Sequence, residues 1–295
     1  MLLVDYVADY CLRRDSSQVH EQQLQVCARL FSEFLGRDAS LSDINEQSLN
    51  GWLAKMREDG LAAATRRNRR TMLLSLNSQA VVDGLAEPIA RGRVAQVKVR
   101  PRVVEGFSYE EAQQVIERIR RPTQREHGRW LARHHHRTCL PRRSYWLSYL
   151  LACWDSAAPK DLRELRWQDV HEGGIVTTLR TKTGEQLLWK FSEATLEAME
   201  PMRLFAHELI WPIWSNMSGF RHEARYVIQE IGGATGKSLG GFRAGAGTDV
   251  ARQYGVAAGA EYLGHTNSRT FERHYLIRRL MADNQRRPRP LLPTA

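Results

Sequence analysis

Lysine is nearly missing from this 295-residue chain: 37 of its 43 basic residues are Arg and six are Lys. Solubility alone does not ask for that bias, whereas the planar guanidinium fork binds phosphate through two hydrogen bonds at once. No uninterrupted run of about 18 apolar residues occurs, which argues against a membrane-spanning helix. Cysteine is scarce as well. The four residues Cys11, Cys27, Cys139 and Cys153 form no C-x-x-C pair, so neither a disulfide framework nor a zinc knuckle is indicated. The first residues place Leu2, Leu3 and Val4 ahead of Arg13 and Arg14, with acids at Asp5 and Asp9, the reverse of a secretory leader. The expected location is the cytoplasm, on the nucleoid.

Acids are also outnumbered, 33 against 43 bases, for a net charge of +10. Residues 88–143 alone hold 13 Arg and one Lys against five Glu, an excess of nine. A basic segment this concentrated reads as a nucleic-acid footprint, against the plainer reading of a solvated surface.

The length suits two domains. Residues 1–87 read as helical throughout. Leu24, Cys27, Ala28, Phe31, Phe34 and Leu35 keep helical spacing up to Gly36, and Ser42 and Asp43 offer caps for a helix through Trp52. The next helix carries Arg66, Arg67, Arg69 and Arg70 in its first turns. The macrodipole disfavours cations there, and a nearby phosphate would offset that cost. Residues 88–104 read as a basic interdomain linker with Arg91, Arg93, Lys98 and Arg100 as further contacts. A second domain, 105–283, opens with a helix capped by Ser108, continues through an apolar helix that follows Arg142 and Arg143, and contains a β-hairpin around Thr183-Gly184-Glu185. The glycine-rich stretch Gly232 to Gly247 reads as a break between helices, and residues 284–295 as an extended Pro/Arg tail.

Four pieces of the second domain carry candidate chemistry. S-A-A-P-K-D-L-R-E-L-R-W-Q-D-V (156–170) ends in a W-x-D-V frame. Thr181-Lys182-Thr183-Gly184 occupies the hairpin turn. L-G-G-F-R-A-G-A-G-T (239–248) surrounds Arg243. Leu263-Gly264-His265 places His265 22 residues beyond Arg243 and is followed by R-H-Y-L, with Tyr275 ten residues after His265. In this order and spacing the pieces resemble the tyrosine recombinase (phage integrase) family. The resemblance covers residues 150–280 well and the N-terminal region in outline.

The resemblance implies a mainly α protein. A helical, SAM-like core-binding domain precedes an α+β catalytic domain with a small antiparallel sheet of three strands. It implies Tyr275 as nucleophile, Arg243 and His265 as phosphate donors and Lys182 as general acid. A nine-residue count from His265 would select His274 instead; the R-H-Y-L wording favours Tyr275. The same alignment puts Ala158 where the family has its first catalytic Arg and Gly240 where it has a His or Lys. Lys160, Arg163 and Lys237 are candidate substitutes. Ala158 reads as natural decay or as an introduced substitution. The implied partners are a double-stranded recombination site and further copies of the chain, a dimer on one site and a tetramer in synapsis, with no metal or other cofactor. The alternative is a recombinase-fold DNA-binding regulator or accessory factor with impaired catalysis.

Independently of the family, transesterification at a phosphodiester needs a hydroxyl nucleophile, donors for the non-bridging oxygens and a proton for the departing oxygen. The chain offers each type. His134, His135 and His136 with Cys139 do not make a metal site by spacing, and fit a basic loop on DNA better. Trp130, Trp146, Trp154, Trp211 and Trp214 read as core.

Overall fold

A computed structural model of the chain describes residues 1–99, 105–135, 140–179, 184, 186–205, 207–213, 216–265, 267–277 and 281. The chain divides into two compact units, Met1–Pro101 and Arg102–Ala295. No described helix is long and apolar enough to cross a membrane.

The first unit packs α1 (Leu3–Arg13), α2 (Gln18–Leu35), α3 (Glu46–Glu58) and α4 (Ala63–Val82) around one core. The apolar stripe of α2 buries Leu24, Cys27, Ala28 and Phe31, and Gly36 ends the helix at φ 69°. The cap of α3 differs from expectation. Asn45 accepts the Ser48 N–H at 3.0 Å, because the Asp43 carboxylate is taken by the Ser40 N–H at 2.8 Å and by Arg37. Asp83, just after α4, ties the unit together by accepting from the Tyr6 hydroxyl at 2.7 Å and from Arg13 at 2.7 Å. That pairing holds its carboxyl well below the usual carboxylate range.

The expected linker is a correction. Its first half is built into this unit: Val94 is buried in the core, with Ile89 and Val97 packed against it. The Asn50 amide brackets the segment, donating to the Arg93 carbonyl at 3.0 Å and accepting from the Ala95 N–H at 2.7 Å. A V-x-x-V pattern among arginines hid this apolar anchor.

The second unit comprises α5 (Tyr109–Arg120), α6 (Arg125–Ala132), α7 (Arg142–Trp154), β1 (Ile175–Leu179), β2 (Gln186–Lys190), α8 (Glu193–Met199), α9 (Met217–Tyr226), α10 (Leu239–Tyr254), α11 (Val256–Tyr262) and α12 (Ser268–His274). Ser108 and Glu111 form the capping box that starts α5. The core is built on α7, where Tyr145, Trp146, Tyr149, Leu150 and Cys153 are buried, with Phe220 stacked on Trp146 and Trp211 edge-on to Tyr149. Strands β1 and β2 pair antiparallel, Thr177 opposite Leu188. Among the described residues there are two strands and an isolated bridge from Val170 to Val176, against the three strands implied. Trp214 and the 284–295 tail lie outside the described residues.

The glycine-rich stretch is a second correction. From Leu239 it is helix, and its glycines are contact points. A Cβ on Gly245 would lie 2.4 Å from the Phe107 carbonyl oxygen and 2.9 Å from the Trp154 ring. A Cβ on Gly247 would meet Leu263 and Phe271 at 2.7 and 2.9 Å. Gly245→Ala is therefore expected to destabilise the second unit by about 1–3 kcal/mol, the cost of overpacking, where the same change in an open helix gains about 1 kcal/mol. Denaturant unfolding checks the sign, and a variant as stable as the parent would refute the close approach.

Candidate active site

The site is assembled on α10. Arg243 lies inside this helix with 7% of its surface exposed. Its Nη2 donates to the Leu263 carbonyl at 2.6 Å. Leu263 is the last residue of α11's terminal turn, where the Gly264 N–H reaches the Glu261 carbonyl at 2.7 Å and the His265 N–H reaches Ala260 at 2.9 Å. This is a Schellman closure, with Gly264 at φ 65° in the left-handed region. The L-G-H signature thus has a mechanical reading: Leu263 turns a carbonyl to the arginine, Gly264 reverses the chain, and His265 is delivered beside the tyrosine.

Tyr275 follows α12 directly. Its ring centroid is 4.8 Å from that of His265, and the Arg243 Cζ stands 5.6 Å from it. His274, one residue earlier, is exposed at the helix end. Tyr275, His265 and Arg243 thus converge, and His274 is not among the groups in contact with them. Lys182 lies outside the described residues.

Beneath this cluster the end of α7 contributes Cys153, whose thiol is pushed well up by burial against the opposing pull of Arg243. The Tyr262 hydroxyl donates to the Trp154 carbonyl at 2.9 Å. Asp155 accepts from the Ser192 N–H at 2.8 Å and the Thr195 hydroxyl at 2.6 Å, tying the end of α7 to the chain just beyond β2. Burial raises its pKa while those donors oppose the rise. Neither role was anticipated, since no spacing connects Asp155 to Ser192.

The two depleted positions are open to inspection. Ala158 is half-buried, and its carbonyl accepts from the Asp161 and Leu162 N–H groups at 2.9 and 3.1 Å. Two residues earlier Ser156 is buried and holds φ 74°, a conformation unusual for any residue but glycine. Gly240 is exposed in the first turn of α10, and a Cβ there would meet nothing within 4 Å. Of the candidate substitutes, Lys237 is ion-paired to Glu111 with its ammonium 4.7 Å from the Phe107 ring centroid. Arg163 directs Nη1 to the Met217 sulfur at 2.8 Å. Lys160 is exposed.

The basic candidates split into two groups. Arg66 donates to the Leu61 carbonyl at 3.1 Å, Arg69 approaches the Met56 sulfur at 3.5 Å, and Arg70 reaches the Arg91 and Val94 carbonyls at 3.4 and 3.2 Å. Arg142 is also taken up internally, 3.3 Å from His135 Nδ1, 3.5 Å from Glu223 and stacked over Trp130. Arg67, Arg91, Arg93, Lys98 and Arg143 are exposed, Arg91 also donating to the Ser78 hydroxyl. Arg100 lies outside the described residues. The histidine cluster is corrected in part: His135 is buried edge-on to Tyr145, while His134 is exposed. His136 and Cys139 are outside the described residues, among which no group of three His, Cys, Asp or Glu could hold a metal ion.

No protein-family model and no curated protein matches this chain. Solved structures do. A lambda integrase (75–356) dimer bound to a COC' core site aligns over 100% of both chains, with a TM-score of 0.66 at 15% identity. The Tn1549 transposon integrase in complex with circular intermediate DNA covers 97% of this chain and 99% of that one, at a TM-score of 0.62 and 11% identity. A lambda integrase tetramer bound to a Holliday junction aligns over 90% of this chain and 77% of that one, at 0.65 and 16%. At these identities the likeness establishes the fold, which is that of the tyrosine recombinases.

A positive φ at a non-glycine residue costs about 1–2 kcal/mol. Ser156→Gly is accordingly expected to raise stability by roughly 0.5–1 kcal/mol, after the extra freedom glycine gives the unfolded chain. A thermal melt that moves down would instead assign the Ser156 side chain a stabilising contact.

Proposed function

Taking the tyrosine-recombinase fold as premise, we propose that the chain cuts and rejoins duplex DNA at a specific site through a 3′-phosphotyrosyl intermediate. The observation carrying this reading is the convergence of Tyr275, His265 and Arg243 at ring and guanidinium separations of 4.8 and 5.6 Å. The Tyr275 Oη attacks the scissile phosphorus, and the bond to the 5′-oxygen breaks. Arg243 and His265 donate to the non-bridging oxygens as charge develops, and Lys182 supplies the proton that the leaving oxygen takes. The phosphotyrosyl ester conserves the phosphodiester energy, so the reverse attack by a 5′-hydroxyl religates without ATP. The lambda integrase structures hold a dimer on a core site and a tetramer on a Holliday junction. We extend the same assembly logic to this chain, acting on DNA in the cytoplasm.

Ala158 and Gly240 weaken the donor set. Removing one preorganised donor costs on the order of 10²–10³ in rate, or about 3–4 kcal/mol. Those two positions favour, as second reading, a DNA-binding regulator on the same fold. The experiment that separates them begins by selecting bound duplexes from a random-sequence pool. The selected duplexes are then nicked at successive positions and incubated with the protein, and covalent adducts are read on a denaturing gel. The expected result is a slow adduct, faster by roughly 10²-fold or more in Ala158→Arg and abolished in Tyr275→Phe. An adduct surviving Tyr275→Phe would refute the nucleophile. No adduct from either the parent or Ala158→Arg would leave the regulator.

Phosphate contacts should make binding steeply salt-dependent. Replacing Arg67 or Arg143 with Ala is expected to lower the salt slope by roughly one unit each. Arg142→Ala, by contrast, should lower folding stability, because it removes one partner each of Glu223 and His135. A filter-binding series across salt concentrations checks the first, and thermal unfolding the second. Unchanged slopes in both exposed variants would remove these residues from the DNA surface.

A further inference from the structure

Thr248 is a fully buried polar residue on α10, five residues beyond Arg243, and the strand-transfer chemistry assigns it nothing. Its hydroxyl has one proton and two lone pairs. The proton is directed to the Ala244 carbonyl at 2.7 Å, with the Tyr275 carbonyl at 3.4 Å. A lone pair accepts the Ile277 N–H at 3.0 Å. One side chain therefore addresses the backbone at Tyr275 and again two residues later.

The need for such a contact follows from where Tyr275 sits. It is the residue at which α12 ends, with φ −129° and ψ −32°, outside helical geometry. Its own N–H and that of Leu276 still reach the Phe271 carbonyl, at 2.8 and 3.0 Å. At Ile277 the described helix carbonyls supply no acceptor, and a buried N–H without a partner is costly. Thr248 provides that acceptor. The Ile277 side chain is fully buried against Gly106, where a Cβ would lie 2.5 Å from Cδ1. The segment is thus pinned on both sides of the tyrosine, by Phe271 before it and by Thr248 and Gly106 after it.

We propose that Thr248 is a positioning residue for Tyr275: its hydroxyl locks the chain leaving α12 to α10, the helix that carries Arg243. The nucleophile and its phosphate donor are thereby referenced to one rigid element within one protomer. The effect on catalysis rests on the reading of Tyr275 as nucleophile; the effect on its placement does not. Displacing a reacting group by about 1 Å can cost on the order of 10²-fold in rate, so a small slackening at this anchor has a large readout.

Thr248→Val keeps the branched shape and removes the hydroxyl, and Thr248→Ser keeps the hydroxyl. Two measurements on the free full-length chain need neither DNA nor catalysis: hydrogen exchange at the Ile277 amide, and the ¹⁹F resonance of 3-fluorotyrosine placed at position 275. Thr248→Val is expected to speed Ile277 exchange by tenfold or more and to shift the fluorine line. Thr248→Ser should leave both close to the parent, with circular dichroism confirming that each variant is folded. The third measurement is the adduct rate on the selected nicked duplexes in the Ala158→Arg background. There, Thr248→Val should slow adduct formation by roughly 10- to 100-fold at unchanged DNA affinity, and Thr248→Ser should restore it. A fluorine line unmoved in Thr248→Val, or moved equally in Thr248→Ser, would overturn the positioning role. If Thr248→Val fails to fold, the Thr248→Ser values decide, since a hydroxyl anchor requires them to match the parent. Absence of any adduct, with the fluorine and exchange results as expected, would refute the strand-transfer reading and leave the anchor standing.

Discussion

The architecture of the second unit turns on how closely α10 can approach its neighbours. Gly245 lies where a side chain would strike the Phe107 carbonyl, and Gly247 where one would strike Leu263 and Phe271. Across the contact, a Cβ on Gly259 of α11 would come within 2.6 Å of the Gly247 carbonyl. Protein interiors are packed to crystal-like density, so separations of this kind permit no adjustment by a spare methyl group. Because α11 is held this near, the Leu263 carbonyl falls within reach of Arg243, and His265 and Tyr275 are brought over the same helix. The glycines thus set where these three side chains meet.

That scaffold is more complete than the donor set it supports. Arg243 is buried, oriented by a 2.6 Å hydrogen bond and stacked on the tyrosine. At the position where the family resemblance places the other arginine stands Ala158, whose carbonyl contacts hold the loop in form and whose side chain carries no charge. Ser156 sustains a left-handed conformation in that loop although it is not glycine. Strain of about 1–3 kcal/mol persists only where surroundings over-determine it. Here Asp155, fixed to Ser192 and Thr195, supplies one such constraint on the preceding residue.

Much of this was legible beforehand, for identifiable reasons. Ser108 with Glu111 announces a helix start through side-chain chemistry local to four residues, and the hairpin is announced by β-branched runs around a glycine. Leu263-Gly264-His265 and Tyr275 were readable because a Schellman closure and a short helix fix their spacing along the chain. What escaped was non-local. The glycines of α10 look like breakers in one dimension and become contact points once Phe107 and α11 are opposite them. Val94 looks like linker until Asn50 is seen to bracket it. Thr248 closes the segment around Arg243, but nothing local announces its partner, which lies 29 residues away.

The arginine bias can now be divided by mechanism. A guanidinium offers five N–H donors in a plane and stacks on aromatic faces, so it satisfies buried carbonyls where an ammonium would be costly to desolvate. Arg70 uses this on two carbonyls, Arg142 on His135, Glu223 and the Trp130 face, and Arg243 on Leu263 and Tyr275. Those residues have partners inside the protein, so their presence is not by itself a sign of a polyanion. Arg93 and Lys98 are exposed, and Arg67 and Arg143 have no such internal roles among the described contacts. The argument for a phosphate partner therefore rests on fewer residues than the net charge suggests. It is stronger for being confined to side chains that face solvent.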